Sequence, residues 1–438
     1  MLNDVPPESL DAGLTLGAAN LDGSVRGELT RPVALDLFCG AGGLSCGLAA
    51  NFDVRAHLDH WPPAVSTLNT NFEEQREPVD IAALTAAELR AMAGGTPSVI
   101  AGGPPCQSFT SAGRRNATDH RATLVGVYAR LAAEVRPPVV VFENVEGFVT
   151  TGGGRYVIDL LDPLIEAGYN VALRKVNLAN YGVPQHRKRV IVVASLLGSP
   201  PFPAPTHSAW GAPGAQHVAG RPPTPNVGEA LECLVSPGAP NAPQGHIARY
   251  PRDTEQRKRM AALREGETMR DLPEDLWHES YSKRANRRVS DGTPSERRGG
   301  APAGLRRLRR DEPSKAITSA AIREFVHPTA NRTLTLREAA RLQTFDDTFQ
   351  FHGTANDQAT LIGNAIPPRF AAVLSAAVHD HVTAASAQAD VLPDEGILVE
   401  FTVTKAESMS PALARVVDAI RTRYRQERLF PPALQSAV

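Results

Sequence analysis

VALDLFCGAGGLS, residues 33–45, is an apolar run of strand length that passes without a break into a glycine turn and then into helix-forming residues. A strand, a tight turn and a helix in that order form the opening unit of a doubly wound α/β sheet. Glycines in the turn let a ligand reach the backbone where a side chain would block it. The alternation continues outward from this unit. Strands are predicted at 33–38, 54–58, 98–101, 138–142, 170–176 and 190–194, with helices between them at 62–72, 121–135 and 156–167.

The texture changes after Leu197. SPPFPAPTHSAW and GRPPTP carry too much proline for central strands or helix interiors. The sheet domain, 31–198, is therefore expected to end here, and a smaller irregular domain to occupy 199–354. A helix predicted at 334–343 opens with Thr335 and Glu338 at capping-box spacing. The apolar segment 369–382 reads as a helix that packs back on the first domain, which 355–384 completes. Residues 1–30 read as a loose leader, and 385–438, with an amphipathic stretch at 412–425, as an extension without a legible role.

With 438 residues, 42% hydrophobic and 21% charged, the chain has the composition of a folded protein with room for two domains. Four cysteines without a CxxC pair or zinc-finger spacing argue against a disulfide scaffold or a structural zinc, and no metal is expected. No basic start precedes an apolar core, and no window approaches the roughly 18 apolar residues of a membrane span. A cytoplasmic, nucleoid-associated protein is the expectation. The net charge of −1 conceals a local asymmetry. Lys283, Arg284, Arg287, Arg288, Arg297, Arg298, Arg306, Arg307, Arg309 and Arg310 face only Asp291 and Glu296 across that stretch. This is the footprint of phosphate contacts or, equally, of a solvated loop.

The glycine turn gains meaning from Asp59, about 20 residues on at the end of the second strand, where a carboxylate can bond ribose hydroxyls. Its alternative role is to cap the helix ahead of Pro62 and Pro63. Asp80 and Ile81 fall where an adenine edge would lie. GAGG lacks the third glycine of the dinucleotide fingerprint, and no basic residue follows to hold a pyrophosphate. A nucleoside without phosphates, such as S-adenosylmethionine (SAM), fits better than NAD. A second signal follows the next strand, where Pro104 and Pro105 stiffen a turn that presents Cys106 at the carboxyl edge of the sheet, a setting that favours the reactive thiolate over buried filler.

DLFCGAGGLS, GGPPCQSFTSAGRR, ENVEGF, QHRKRV, RTLTLREAARLQTF and GNAIPP occur in the order seen in DNA cytosine-5 methyltransferases, and together the chain resembles that family from Asp36 to Pro368. The resemblance implies a Rossmann-like SAM-dependent methyltransferase domain followed by a target-recognition domain. It implies that Cys106 adds to carbon 6 of an extruded cytosine so that carbon 5 can accept a methyl group from SAM, leaving S-adenosylhomocysteine. Glu143 is expected at ring nitrogen 3 and the exocyclic amine, Arg189 at the 2-carbonyl, and Arg187 in support of the active-site loop or a phosphate. The cofactor pocket expected with this reading comprises Phe38, Gly40, Ala41, Gly42, Gly43, Leu44, Asp59, His60, Asp80, Ile81, Pro104, Leu124, Asn364 and Ala365. Expected DNA contacts are Gln107, Ser108, Gly113, Arg114, Arg115, Arg284, Arg287, Arg288, Arg306 and Arg307. Asp346 stands where the family usually has proline, which leaves the local turn open.

The expected substrate is double-stranded DNA, with a monomeric enzyme and a cognate restriction nuclease or phage-defence proteins as partners. Two other readings remain: methylation of cytosine in transfer RNA, which a branch of the same family performs, and a catalytically silent DNA-binding regulator. The second would be expected to have lost Cys106, Glu143 or the Gly40–Gly43 turn, and all are present.

Overall fold

The computed structural model describes residues 31–105, 123–251, 253–278, 304–385, 396–403, 409 and 411–424. In chain order the first half forms β1 (Val33–Leu37), α1 (Gly43–Leu48), β2 (Asp53–Leu58), α2 (Pro62–Asn71), α3 (Ala86–Ala93), β3 (Val99–Gly102), α4 (Leu124–Val135), β4 (Val139–Val145), α5 (Arg155–Glu166), β5 (Asn170–Asn177), β6 (Gln185–His186) and β7 (Lys188–Ser195). The second half adds the short β8 (Arg306–Arg307), β9 (Ser314–Lys315) and β10 (Phe325–Val326), then β11 (Leu398–Thr402). The predicted strands and helices lie where expected, with ends shifted by a few residues.

One sheet of seven strands has the order β11-β5-β7-β4-β3-β1-β2. Every residue of β3 and all but the first of β7 are buried, which is why both strands read as continuous apolar runs: helices cover both faces. The sheet is parallel except at β7, which runs antiparallel to both β4 and β5. Only residues 178–187 separate β5 from β7, too few for the crossover helix that a parallel return requires.

On one face α4 and α5 bury Val125, Leu131, Leu160 and Leu164 against Leu35, Leu37, Val140 and Phe142. On the other, Phe370, Leu374 and Val378 of the helix Pro368–Ala385 pack with Leu44 and Leu48 of α1 against Ala34, Val141 and Ile191. The returning helix thus completes the first layer, as its apolar texture suggested. The run Ala355–Ala384 reaches the length and mean hydropathy of a membrane span by composition alone. Yet 61% of its apolar window is buried inside the protein, and it is broken into two helices at 365–367.

The extension beyond residue 385 has a role that its sequence did not disclose. β11 pairs parallel to β5, with Leu398 opposite Val171 and Thr402 opposite Arg174, and Arg174 and Glu400 form an ion pair at 2.6 Å. The helix Pro411–Arg423 then buries Val416, Val417 and Ile420 in the core beneath α5. Five residues of strand gave too short a pattern to read alone.

Between residues 199 and 354 short elements surround a small core of Met260, Leu263, Met269, Leu272, Leu305 and Val326. A capping box forms at Thr335 and Glu338 as expected, and Glu338 also takes a bidentate ion pair from Arg332 at 2.7 and 2.8 Å. Asp346, in place of the usual proline, builds its own turn by accepting from the Thr348 amide at 2.9 Å.

Candidate active site

The carboxyl ends of β1 and β2 and the segment 360–366 enclose a cleft of about 360 Å³, the size of a small-ligand site. Phe38, immediately after β1, has φ 58°, a left-handed conformation that a bulky residue rarely adopts, and it lines the cleft. Gly42, at φ 80°, starts α1. A Cβ on Gly43 would lie 2.1 Å from the Ile366 carbonyl oxygen, so the glycine turn and the returning chain pack backbone to backbone. Asp59 joins the parts: Oδ2 accepts from the Gly40 amide and Oδ1 from the Trp61 amide, both at 2.9 Å. It therefore shapes the turn before Pro62 and also forms part of the cleft wall.

Of the expected cofactor contacts, Phe38, Gly40, Ala41, Leu44, Asp59, His60, Asn364 and Ala365 line this cleft. Gly42, Gly43, Asp80, Ile81, Pro104 and Leu124 do not. Asp80 caps a short 3-10 turn by accepting from the Ala82 amide, Ile81 and Leu124 are buried in the core, and the Pro104 carbonyl accepts from Asn144. Asp36, Cys39, Trp61, Gly103, Pro105, Thr360, Leu361 and Ile366 line it without having been expected. Asp36 did leave a signal, because a carboxylate within an otherwise apolar strand is costly unless it has a partner or a task.

Glu143, near the end of β4, lines the same cleft. Its Oε1 lies 2.7 Å from Arg189 Nε, and both side chains are about nine-tenths buried. The approach is off the hydrogen-bonding direction, so Glu143 Oε1 and Arg189 Nε remain buried without a hydrogen-bond partner. Burial lifts the Glu143 pKa above the usual carboxylate range, with Arg189 and Arg187 pulling it back. A buried carboxylate and guanidinium face one another here as an ion pair.

Arg187 occupies the same face of the chain two residues earlier, whereas Lys188 turns towards Glu146, 3.7 Å away. Arg187 is 1% exposed and donates to the carbonyls of Ile317, Gly363 and Ala365 at 2.6, 2.8 and 2.9 Å. It thus ties the start of β7 to the chain on both sides of Asn364. Replacing it removes a donor from three carbonyls, of which only that of Ala365 keeps another side-chain donor, Gln343 Nε2 at 3.1 Å: Arg187→Ala is expected to lower unfolding stability by about 3 kcal/mol or more. Arg187→Lys should recover little, since one ammonium nitrogen cannot occupy both positions from which Nη1 and Nη2 donate. Urea unfolding of the purified variants measures both.

Cys106, Gln107, Ser108, Gly113, Arg114, Arg115, Arg284, Arg287 and Arg288 lie outside the described residues. Arg307 is described and does not fit the role expected of it. It is 3% exposed, and its guanidinium donates to the carbonyls of Leu263, His327 and Ala330 and to Asn331 Oδ1. That fork is committed to holding the small core together and has no edge to offer a phosphate. Its neighbour Arg306 is partly exposed and lines a second cleft with His186, Trp210 and Lys315.

A family model for C-5 cytosine-specific DNA methylase matches residues 33–379. The chain is 28% identical over 423 residues to the Type II methyltransferase M.XorII of Xanthomonas oryzae pv. oryzae, covering 89% of this chain and 95% of that protein. It is 30% identical to the Type II methyltransferase M.AgeI of Thalassovita gelatinovora, over 76% of this chain and 96% of that one. Among solved structures, a protein described as a DNA modification methyltransferase of an E. coli prophage superposes with a TM-score of 0.56. At 21% identity, over 80% of this chain and 99% of its own, that is a likeness of fold.

Proposed function

Since the chain belongs to the C-5 cytosine-specific DNA methylases, we propose that it methylates an extruded cytosine in duplex DNA by covalent addition of Cys106 to the ring. Family membership makes it a SAM-dependent DNA cytosine-5 methyltransferase. The observation that carries the finer reading is that Glu143, with Arg189 against it, lines the same cleft as Phe38, Asp59 and Asn364. A base held at Glu143 is thereby next to whatever fills the cleft.

The cleft suits the methyl donor. Among the described residues that line it there is no lysine or arginine, as befits a nucleoside without phosphates. Asp59 is the residue for the ribose hydroxyls, Phe38 for the adenine face and Asn364 for the amino-acid part. Bound there, SAM supplies an electrophilic methyl group. The protein makes carbon 5 a nucleophile: the Cys106 thiolate bonds to carbon 6, and the ring electrons move towards carbon 5 and nitrogen 3. Glu143 meets the charge that develops at nitrogen 3, and Arg189 meets that at the 2-carbonyl oxygen. Loss of the carbon 5 proton then expels Cys106. Residues 199–354 are assigned to target recognition, and extrusion of the base costs a few kcal/mol that their contacts must offset. Because the curated relatives are named Type II methyltransferases, a cognate restriction nuclease is the proposed partner.

Duplex DNA carrying 5-fluorocytosine at the target tests the covalent step, since fluorine cannot leave as the proton does. A protein–DNA adduct that survives a denaturing gel is expected with SAM present, and none with Cys106→Ser. Absence of adduct from active wild-type enzyme would overturn the mechanism.

A further inference from the structure

Glu143 stands three residues before a turn with little internal support. Residues 146–154, EGFVTTGGG, end in Gly152, Gly153 and Gly154 at φ 62°, 66° and 92°, the left-handed backbone that glycine alone enters freely. The side-chain bonds inside the turn converge on one atom, the Gly147 carbonyl oxygen, which accepts from the Thr150 and Thr151 hydroxyls at 3.3 and 2.7 Å. Glycine loses more conformational freedom on ordering than any other residue, so such a segment keeps one shape only if contacts from elsewhere impose it.

Two sets of contacts impose it. From the sheet, Lys175 Nζ of β5 lies 2.6 Å from Glu146 Oε1 and Lys188 Nζ of β7 lies 3.7 Å from it. The Phe148 ring packs on that of Phe142, the residue before Glu143, with centroids 5.0 Å apart. From the other side comes the C-terminal extension. A Cβ on Gly154 would lie 2.7 Å from Val416 Cγ1, so the helix Pro411–Arg423 sits directly on the end of the turn. Leu413 of that helix and Val403, which follows β11, line a pocket with Glu146, Val149 and Lys175. The extension is itself anchored at both ends. The Gly396 amide donates to the Ile165 carbonyl at 3.0 Å, and Arg423 and Tyr424 donate to Asp162 of α5 at 2.6 and 2.7 Å. We propose that residues 396–424 are a positioning element for the active site: Val416 and Leu413 clamp the 146–154 turn and thereby hold Glu143 where the base needs it. Among the described residues, none of the extension lines the cleft, so its influence on the reaction runs through the turn. Contacts to a transition state tolerate little displacement, and misplacement by about 1 Å can cost about 100-fold in rate.

This inference rests on Glu143 acting on the base, and its test keeps the two apart. In the full chain Val416→Ala should lower kcat about 10-fold, with KM for DNA and affinity for SAM within about twofold of wild type. Leu413→Ala should act in the same direction. Val382→Ala removes the same two methyl groups from a site on the opposite face of the sheet that is 6% exposed, against 7% for Val416. It should lower the melting temperature as Val416→Ala does and leave kcat at the wild-type value, which separates positioning from a general loss of packing. In a Glu143→Gln background the added Val416→Ala should cost less than about threefold, because residues that act as a unit are not additive. An undiminished loss in that background, or wild-type kcat in folded Val416→Ala, would overturn the proposal while leaving the role of Glu143 standing. Should Val416→Ala fail to fold, Leu413→Ala, alone and combined with Glu143→Gln, decides by the same criterion. Wild-type kcat in Glu143→Gln itself would instead refute the role of Glu143, and the proposal with it.

Discussion

Cys106→Ser is expected to reduce methyl transfer to DNA by about 10⁴-fold or more while leaving SAM affinity within about twofold. Carbon 5 of cytosine is too weak a nucleophile to take the methyl group unaided, so the reaction depends on prior addition at carbon 6. A thiol reaches its thiolate near neutral pH and is intrinsically strong, whereas a serine hydroxyl without a paired base is neither. Cys106 follows Pro105, which lines the cleft together with Glu143. Loss of turnover with retained binding is therefore the signature of a nucleophile rather than of a structural cysteine. Incorporation of tritiated methyl groups into DNA and calorimetric titration with SAM give the two numbers. Turnover within tenfold of wild type would remove the covalent step.

Glu143→Gln is expected to lower kcat by about 10²- to 10³-fold with a much smaller change in KM, because its contact strengthens as charge develops on the ring. The pH dependence carries more information than the size of the loss. Burial holds the Glu143 proton to higher pH than an exposed glutamate would. Below that raised pKa the carboxyl can donate to nitrogen 3; as pH rises through it, the proton leaves and wild-type kcat should fall. Glutamine keeps an N–H donor that does not titrate, so the variant should be slower yet lack this limb of the profile. The linkage to stability has the same direction. A carboxyl whose pKa is raised on folding contributes fully below its unfolded pKa and loses that contribution as pH rises through the folded value. Wild type should therefore lose stability relative to Glu143→Gln over that window. Parallel pH–rate profiles and thermal melts check both, and an unchanged alkaline limb in the variant would assign that titration elsewhere.

Both predictions concern residues legible before any coordinates, as were the β1–α1 unit, Asp59, the capping box at Thr335 and the return of 368–385 to the first layer. Each of these is written in local chemistry: a glycine that must turn, a carboxylate at a strand end, a hydroxyl three residues ahead of a glutamate, an apolar stripe of helical period. Asp36 was visible as an anomaly in an apolar strand without being read as one.

Partnership between distant segments was not legible. That β7 runs against its neighbours follows from the short connection after β5, and β11 becomes a strand only because the edge of β5 is there to pair with it. Arg187 and Arg307 look in sequence like any arginines of a basic stretch, and surface or phosphate contact is the ordinary reading. Folding instead surrounds each with main-chain carbonyls from segments up to 178 residues away, and a guanidinium so enclosed braces architecture. The chemistry of each residue is local and travels with the sequence; what that chemistry is directed at depends on which surfaces the packed chain brings within hydrogen-bonding distance, and that only the tertiary structure decides.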